Sequence, residues 1–128
     1  MPILPLEPPR DFESPLHSQG VLLPSPGRLA LVSGQVGVRP DGTTGHDVVQ
    51  QTRIAFENIT RVLAEAGLVL SDVASLRIYL TWRGHIGQFT QTANSCLNGH
   101  RPAATLLLVE RLANPALLVQ VEAVAVAG

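Results

Sequence analysis

A chain of 128 residues has the length of one domain, with enough apolar material for a core that needs neither disulfides nor a structural metal. It is 45% hydrophobic and 15% charged, against roughly 25% charged in typical soluble domains. Part of its surface is therefore expected to be covered by copies of itself. The net charge is −1 and all nine basic residues are arginines, which argues against a nucleic-acid track and excludes a Schiff-base or Walker-type lysine.

The single Cys96 excludes an intrachain disulfide. Cys96 and His100 stand four apart, but His46 and His85 add no useful spacing, so no metal site and no cofactor are expected. The opening MPILPLEPPRDFESP has no basic stretch leading into an apolar run, and a secretory leader is not expected. No segment approaches the roughly 20 apolar residues of a membrane span. The expectation is a cytoplasmic protein that touches neither membrane nor nucleic acid.

Five of the ten prolines fall within residues 1–15, predicting an extended, poorly paired N-terminal segment ahead of one domain over 16–128. A short strand is expected over 19–23 and a turn over 24–27. The run RLALVSGQVGV (28–38) predicts a strand in which Gly34 and Gly37 mark a bulge or a close backbone approach. After a turn at Pro40-Asp-Gly42 comes the clearest element, a helix over 47–66. There Val48, Thr52, Ala55, Phe56, Ile59, Val62, Leu63 and Ala66 recur at three and four, with Asp47 at the start and Gly67 at the C′ position.

Residues 75–81 alternate, Leu76, Ile78 and Leu80 to one side and Ser75, Arg77 and Tyr79 to the other, as in a half-buried strand. Arg83-Gly-His85 breaks it. A shorter helix is expected over 88–97, then strands over 104–109 and 117–126. This order predicts an α+β fold, a single mixed sheet with two helices on one face. Leu118, Val119, Val121, Val124 and Val126 make the last strand apolar on both faces, so the uncovered face is expected to meet another copy.

Glu122 interrupts this apolar strand. A carboxylate there is costly unless paired or hydrogen-bonded, and such a group suits general acid–base work. The alternative is an ion pair with Arg77 or Arg111 at the rim of a subunit interface. His17 and Ser18 are adjacent, so their side chains diverge on a strand. With no G-x-S-x-G run, a serine hydrolase is not expected. Asn58-Ile-Thr60 has the form of a glycosylation acceptor but falls within the long helix.

Several runs in order carry a resemblance: SGQVGV (33–38), QQTRIAFENITRVLAEAGL (50–68), LRIYL (76–80), RPAATLLLVERL (101–112) and VQVEAVAV (119–126). Together they resemble the YjgF/Rid family of reactive intermediate deaminases, from His17-Ser18-Gln19 onward. The resemblance implies a compact α+β fold similar to the bacillus type of chorismate mutase. It also implies a homotrimer, its sheets around a central barrel and its three pockets in the subunit clefts. Deaminating members hydrolyse enamines and imines such as 2-aminoacrylate.

In those members an arginine in a P-A-R-[ST] run clamps the substrate carboxylate with its planar fork of donors. Here the run is Pro102-Ala103-Ala104-Thr105, and the arginine position is Ala104. The resemblance places His17 where the family has a tyrosine and keeps Ser33, Gly34 and Gln35. It also places Tyr79, Thr105 and Leu106 in the pocket and Glu122 as the carboxylate that orients or activates water. Arg101, one residue before Pro102, does not obviously replace the clamp. The second helix is several residues shorter than is usual.

These departures lead to a trimeric enzyme in which Glu122 and His17 act as acid and base on a small neutral carbonyl, imine or enol-type metabolite. Ser33, Gly34, Gln35, Tyr79, Ala104, Thr105 and Leu106 would bind it. The alternatives are a non-catalytic ligand-binding or regulatory trimer, and a 2-iminobutanoate/2-iminopropanoate deaminase that uses another arginine. A ribonuclease fits the charge distribution least.

Overall fold

The computed structural model describes residues 3–6, 9–10, 15–16, 20–22 and 27–127. Among them, strands β1 (Leu4–Leu6), β2 (Gly20–Leu22) and β3 (Arg28–Val36) precede helix α1 (Val48–Ala64). Strand β4 (Val73–Leu80), helix α2 (Ile86–Leu97), β5 (Ala103–Leu108) and β6 (Val119–Ala127) follow. The main sheet has the order β3-β6-β4-β5, with β5 parallel to β4 and the other pairs antiparallel.

Within the opening segment, Leu4–Leu6 is extended and paired. Leu4 lies opposite Leu22 and Leu6 opposite Gly20, in a two-stranded ladder separate from the main sheet. The expectation of a poorly paired segment is corrected there. Pro5 lacks a donor, which an edge position tolerates. Residues 24–26 of the expected turn lie outside the described residues.

Helix α1 starts where the sequence places it. The Asp47 carboxylate accepts from the Gln50 N–H at 2.8 Å, and the Gln50 side chain accepts in turn from the His46 N–H at 2.9 Å. Losing this cap should be costly: Asp47→Ala is expected to lower stability by about 1 kcal/mol, read from the urea midpoint at constant slope. At the other end Leu68 N–H donates to Leu63 and Gly67 N–H to Ala64, with Gly67 at φ +70. This pair of bonds is a Schellman turn, which needs the left-handed backbone that glycine adopts without strain.

The β3 strand ends two residues short of expectation, for two reasons. Its register slips between Val32 and Gln35, placing a bulge at Ser33-Gly34. The carbonyls of Val36 and Val38 are then taken by the Asn58 amide of α1, at 3.1 and 2.9 Å. Beyond lies the expected turn. Asp41 accepts from the hydroxyl and N–H of Thr43, which hold its carboxyl below the ordinary range, and Gly42 sits at φ +88. Helix α2 begins two residues earlier than expected, because a single 3-10 turn over Arg83–His85 feeds straight into it.

The core lies between the sheet and the two helices. Val119, Val121, Ala123 and Ala125 of β6 and Leu76, Ile78 and Leu80 of β4 are buried with Phe56, Ile59 and Leu63 of α1 and Phe89, Ala93 and Leu97 of α2. Gln51, fully buried in the first turns of α1, ties three segments together. Its amide donates to Gly45 O and Ala116 O, and its carbonyl accepts from Leu118 N–H at 2.8 Å. Gly37 presses on it: a Cβ there would meet the Gln51 side chain at 2.3 Å. Among the described residues, no helix is long and apolar enough to cross a membrane.

Candidate functional site

The same alternation that buries one face of β4 and β6 sends Ser75, Arg77 and Tyr79, and Gln120, Glu122 and Val124, to the face without helices. Register aligns them. Arg77 lies opposite Glu122 on one side and Thr105 of β5 on the other; Tyr79 lies between Gln120 and Leu107. Leu29 and Leu31 of β3 extend this face and are 58% and 72% exposed. The face is apolar at β3 and mixed across β6, β4 and β5, where Val124 and Leu107 stand among the polar groups.

Two shallow hollows mark this face. One of about 310 Å3 is lined by Leu31, Ser75, Arg77, Glu122 and Val124; a second of about 160 Å3 is lined by Arg77, Tyr79, Thr105 and Leu107. Glu122 is half-buried, and its Oε2 accepts from the Tyr79 hydroxyl at 2.9 Å. That carboxylate, followed by desolvation, pushes the Tyr79 phenol above its ordinary range. The ion pair considered from sequence does not form. Arg77 faces Glu122 in register without pairing, and Arg111 instead meets exposed Glu110 at 3.7 Å.

The remaining candidates divide. Thr105 shares the open face with Glu122 and Tyr79. Ala104 and Leu106, opposite Leu76 and Ile78, stand on the helix side of the edge strand β5 and pack partly against the core. Within one chain the sheet separates them from Glu122. Ser33, Gly34 and Gln35 form the β3 bulge, closed by the Gln35 amide donating to Ser33 O at 3.1 Å. Gly34 meets the open face directly, since a Cβ there would strike the Gln120 amide at 2.3 Å. His17 lies outside the described residues.

Cys96 and His100 do different work. Burial pushes the Cys96 thiol up, and His100 Nε2 contacts the Val73 carbonyl at 2.6 Å, as a donor in the tautomer that satisfies both atoms. Reasoning from sequence passed over Gln120, between Tyr79 and Gly34, and weighed Arg77, which borders both hollows, only as an ion-pair partner of Glu122. The alternation of β4 put Arg77 beside Tyr79, and that of β6 put Gln120 on the face of Glu122, so both signals were available; only register shows that Gln120 lies against Tyr79 and Gly34.

Residues 16–127 match the family model described as Endoribonuclease L-PSP. The chain belongs to the YjgF/Rid family. This Rid-family chain is 29% identical over 114 residues to TdcF of Escherichia coli, named for reactive intermediate deamination, with 86% of this chain and 85% of that one covered. A 55-residue stretch is 46% identical to the RutC family protein YjgH of E. coli, covering 43% of this chain and 42% of YjgH. Among solved structures, the Rid-family protein YyfB of Yersinia pestis, of unknown function, matches with a TM-score of 0.89 and 28% identity. That match covers 99% of this chain and all of YyfB. The mixed sheet with two helices is thus the Rid fold expected from the sequence.

Proposed function

We propose that this Rid-family chain forms a homotrimer that acts on a small neutral carbonyl, imine or enol-type metabolite in clefts between subunits. Glu122 is the proton acceptor and His17 a second proton carrier. The observation that carries this reading is the place of Glu122: half-buried, in the wall of an open hollow, and not consumed by an arginine. A carboxylate so placed can take a proton from carbon, nitrogen or water. Hydrolysis, dehydration, tautomerisation and cyclisation share that need.

Two features support the assembly. Leu29, Leu31 and Leu107 are large apolar groups left exposed on one face, at 58%, 72% and 51%, an arrangement that marks an interaction surface. Ala104 and Leu106 also sit across the sheet from Glu122, so a pocket that uses all three needs a second copy. The methyl of Ala104 and the isobutyl group of Leu106 favour an uncharged ligand. They weigh against the carboxylate-bearing imines that the family resemblance implies. The endoribonuclease in the family description fits poorly with a net charge of −1 and scattered arginines.

Glu122→Gln tests the reading. Against a panel of neutral cyclic ketones, aldehydes and imines, the substitution is expected to cut turnover by about 100-fold or more with the oligomeric state unchanged in sedimentation. Turnover at the wild-type rate in this variant would remove Glu122 from the chemistry. Binding without turnover in the wild type would favour the ligand-binding alternative.

A further inference from the structure

We propose that Tyr79 is the positioning residue of Glu122: its phenol holds one carboxylate oxygen so that the other is presented to the ligand as a proton acceptor. The proposal rests on the reading of Glu122 given above and adds to it the group that orients the carboxylate. Register alone does not dictate this contact. Tyr79 is directly opposite Gln120, and Arg77 is directly opposite Glu122. The default partner of Glu122 is thus a guanidinium one strand away. Instead the Tyr79 hydroxyl reaches diagonally across the ladder and donates to Oε2 at 2.9 Å, a span open to a long aromatic side chain.

The choice of donor has chemical consequences. A guanidinium would neutralise the carboxylate and engage both of its oxygens in a fork. A phenol engages one and leaves the negative charge in place. An ionised carboxylate is an acceptor only, so Oε1 suits a ligand that brings a donor: the N–H of an enamine, the O–H of an enol, or an attacking water. Glu122 makes ionisation of the phenol harder, against a weaker opposite pull from Arg77.

The surroundings keep this arrangement intact. Arg77 is the only other charged residue lining either hollow among the described residues, and Ser75 and Thr105 supply neutral hydroxyls. Gln120 lies opposite Tyr79 in the ladder. It has room there because Gly34 at the β3 bulge carries no side chain.

The test uses the fact that Tyr79 is the sole tyrosine of the chain. Its ionisation is read directly from the ultraviolet tyrosinate band of the intact protein. In Glu122→Gln the tyrosinate is expected to form at lower pH than in the wild type. In Tyr79→Phe, a protein labelled with 13C at glutamate side-chain carboxyls is expected to show the Glu122 signal, assigned by its loss in Glu122→Gln, at a displaced chemical shift at neutral pH, as the loss of a donor to that carboxylate requires. The urea midpoint of Tyr79→Phe should stay near that of the wild type. An unmoved tyrosinate midpoint in Glu122→Gln, or an unmoved Glu122 carboxyl signal in Tyr79→Phe, overturns the proposal.

Neither readout needs turnover, so the pair is judged even if Glu122 proves not to be catalytic. Where turnover is found, Tyr79→Phe is expected to lower kcat about tenfold with KM nearly unchanged. A kcat identical to the wild type would reduce the contact to a structural one and overturn the positioning role.

Discussion

Ala104→Arg is expected to turn the protein into a hydrolase of 2-aminoacrylate generated in place, about 100-fold or more faster than the wild type. The argument is the value of the missing contact. Hydrogen bonds to charged groups contribute roughly 1.5–3 kcal/mol each, and a forked pair on one carboxylate at the low end of that range sums to about 3 kcal/mol. With each 1.4 kcal/mol worth about tenfold, the expected gain is about two orders of magnitude. Ala104 is half-buried on the edge strand β5, against the core side of the sheet, so the new side chain must leave along the sheet edge. Ala104→Met supplies similar length without the fork and separates charge from bulk. Gain with arginine alone identifies a working Rid cleft whose own ligand lacks a carboxylate. Equal activity in wild type and Ala104→Arg means that another arginine holds the carboxylate: Arg101 by proximity in sequence, or Arg77, which borders both open-face hollows.

The largest expected loss of stability is at a residue with no part in that chemistry. Gln51→Leu keeps most of the volume but leaves Gly45 O, Ala116 O and Leu118 N–H without their partner. Each buried group so stranded costs about 1–3 kcal/mol, less where water reaches it. A loss of about 3 kcal/mol is expected, seen as a large fall in the urea midpoint with the slope unchanged. Gln51→Glu discriminates further. It retains the acceptor for Leu118 N–H but replaces the donor that serves two carbonyls with an acceptor, and should be at least as damaging. A midpoint within error of the wild type for Gln51→Leu would mean that water replaces all three bonds. The link between α1 and the segment entering β6 would then be dispensable.

Much of the local structure was legible in the residues. The three-and-four spacing from Val48 to Leu63 is a helix because only that period puts one stripe on the sheet, and Asp47 and Gly67 bound it through hydrogen bonds made within a few residues. The alternation of β4 declared its buried and open sides, and Glu122 stood out because nothing apolar explains a carboxylate there. The family resemblance was legible for the same reason: its motifs are local runs. What escaped was the pairing of Leu4–Leu6 with Gly20–Leu22 and the role of Gln51, whose partners lie up to 67 residues away.

The elements, their order and the residue types that carry chemistry follow from the order of residues, since periodicity, caps and a misplaced charge are properties of neighbours along the chain. Which of those residues meet is settled by long-range packing. Strand order and register are long-range choices. A shift of one residue in pairing would move Thr105 to the core side and Ala104 to the side of Glu122. The fold selects the register in which Thr105, Arg77 and Glu122 align across three strands, Tyr79 reaches Glu122, and Ala104 and Leu106 turn away. The reason is burial: that register places Leu76, Ile78, Val121 and Ala123 against the helices, and the polar row on the other face follows from it.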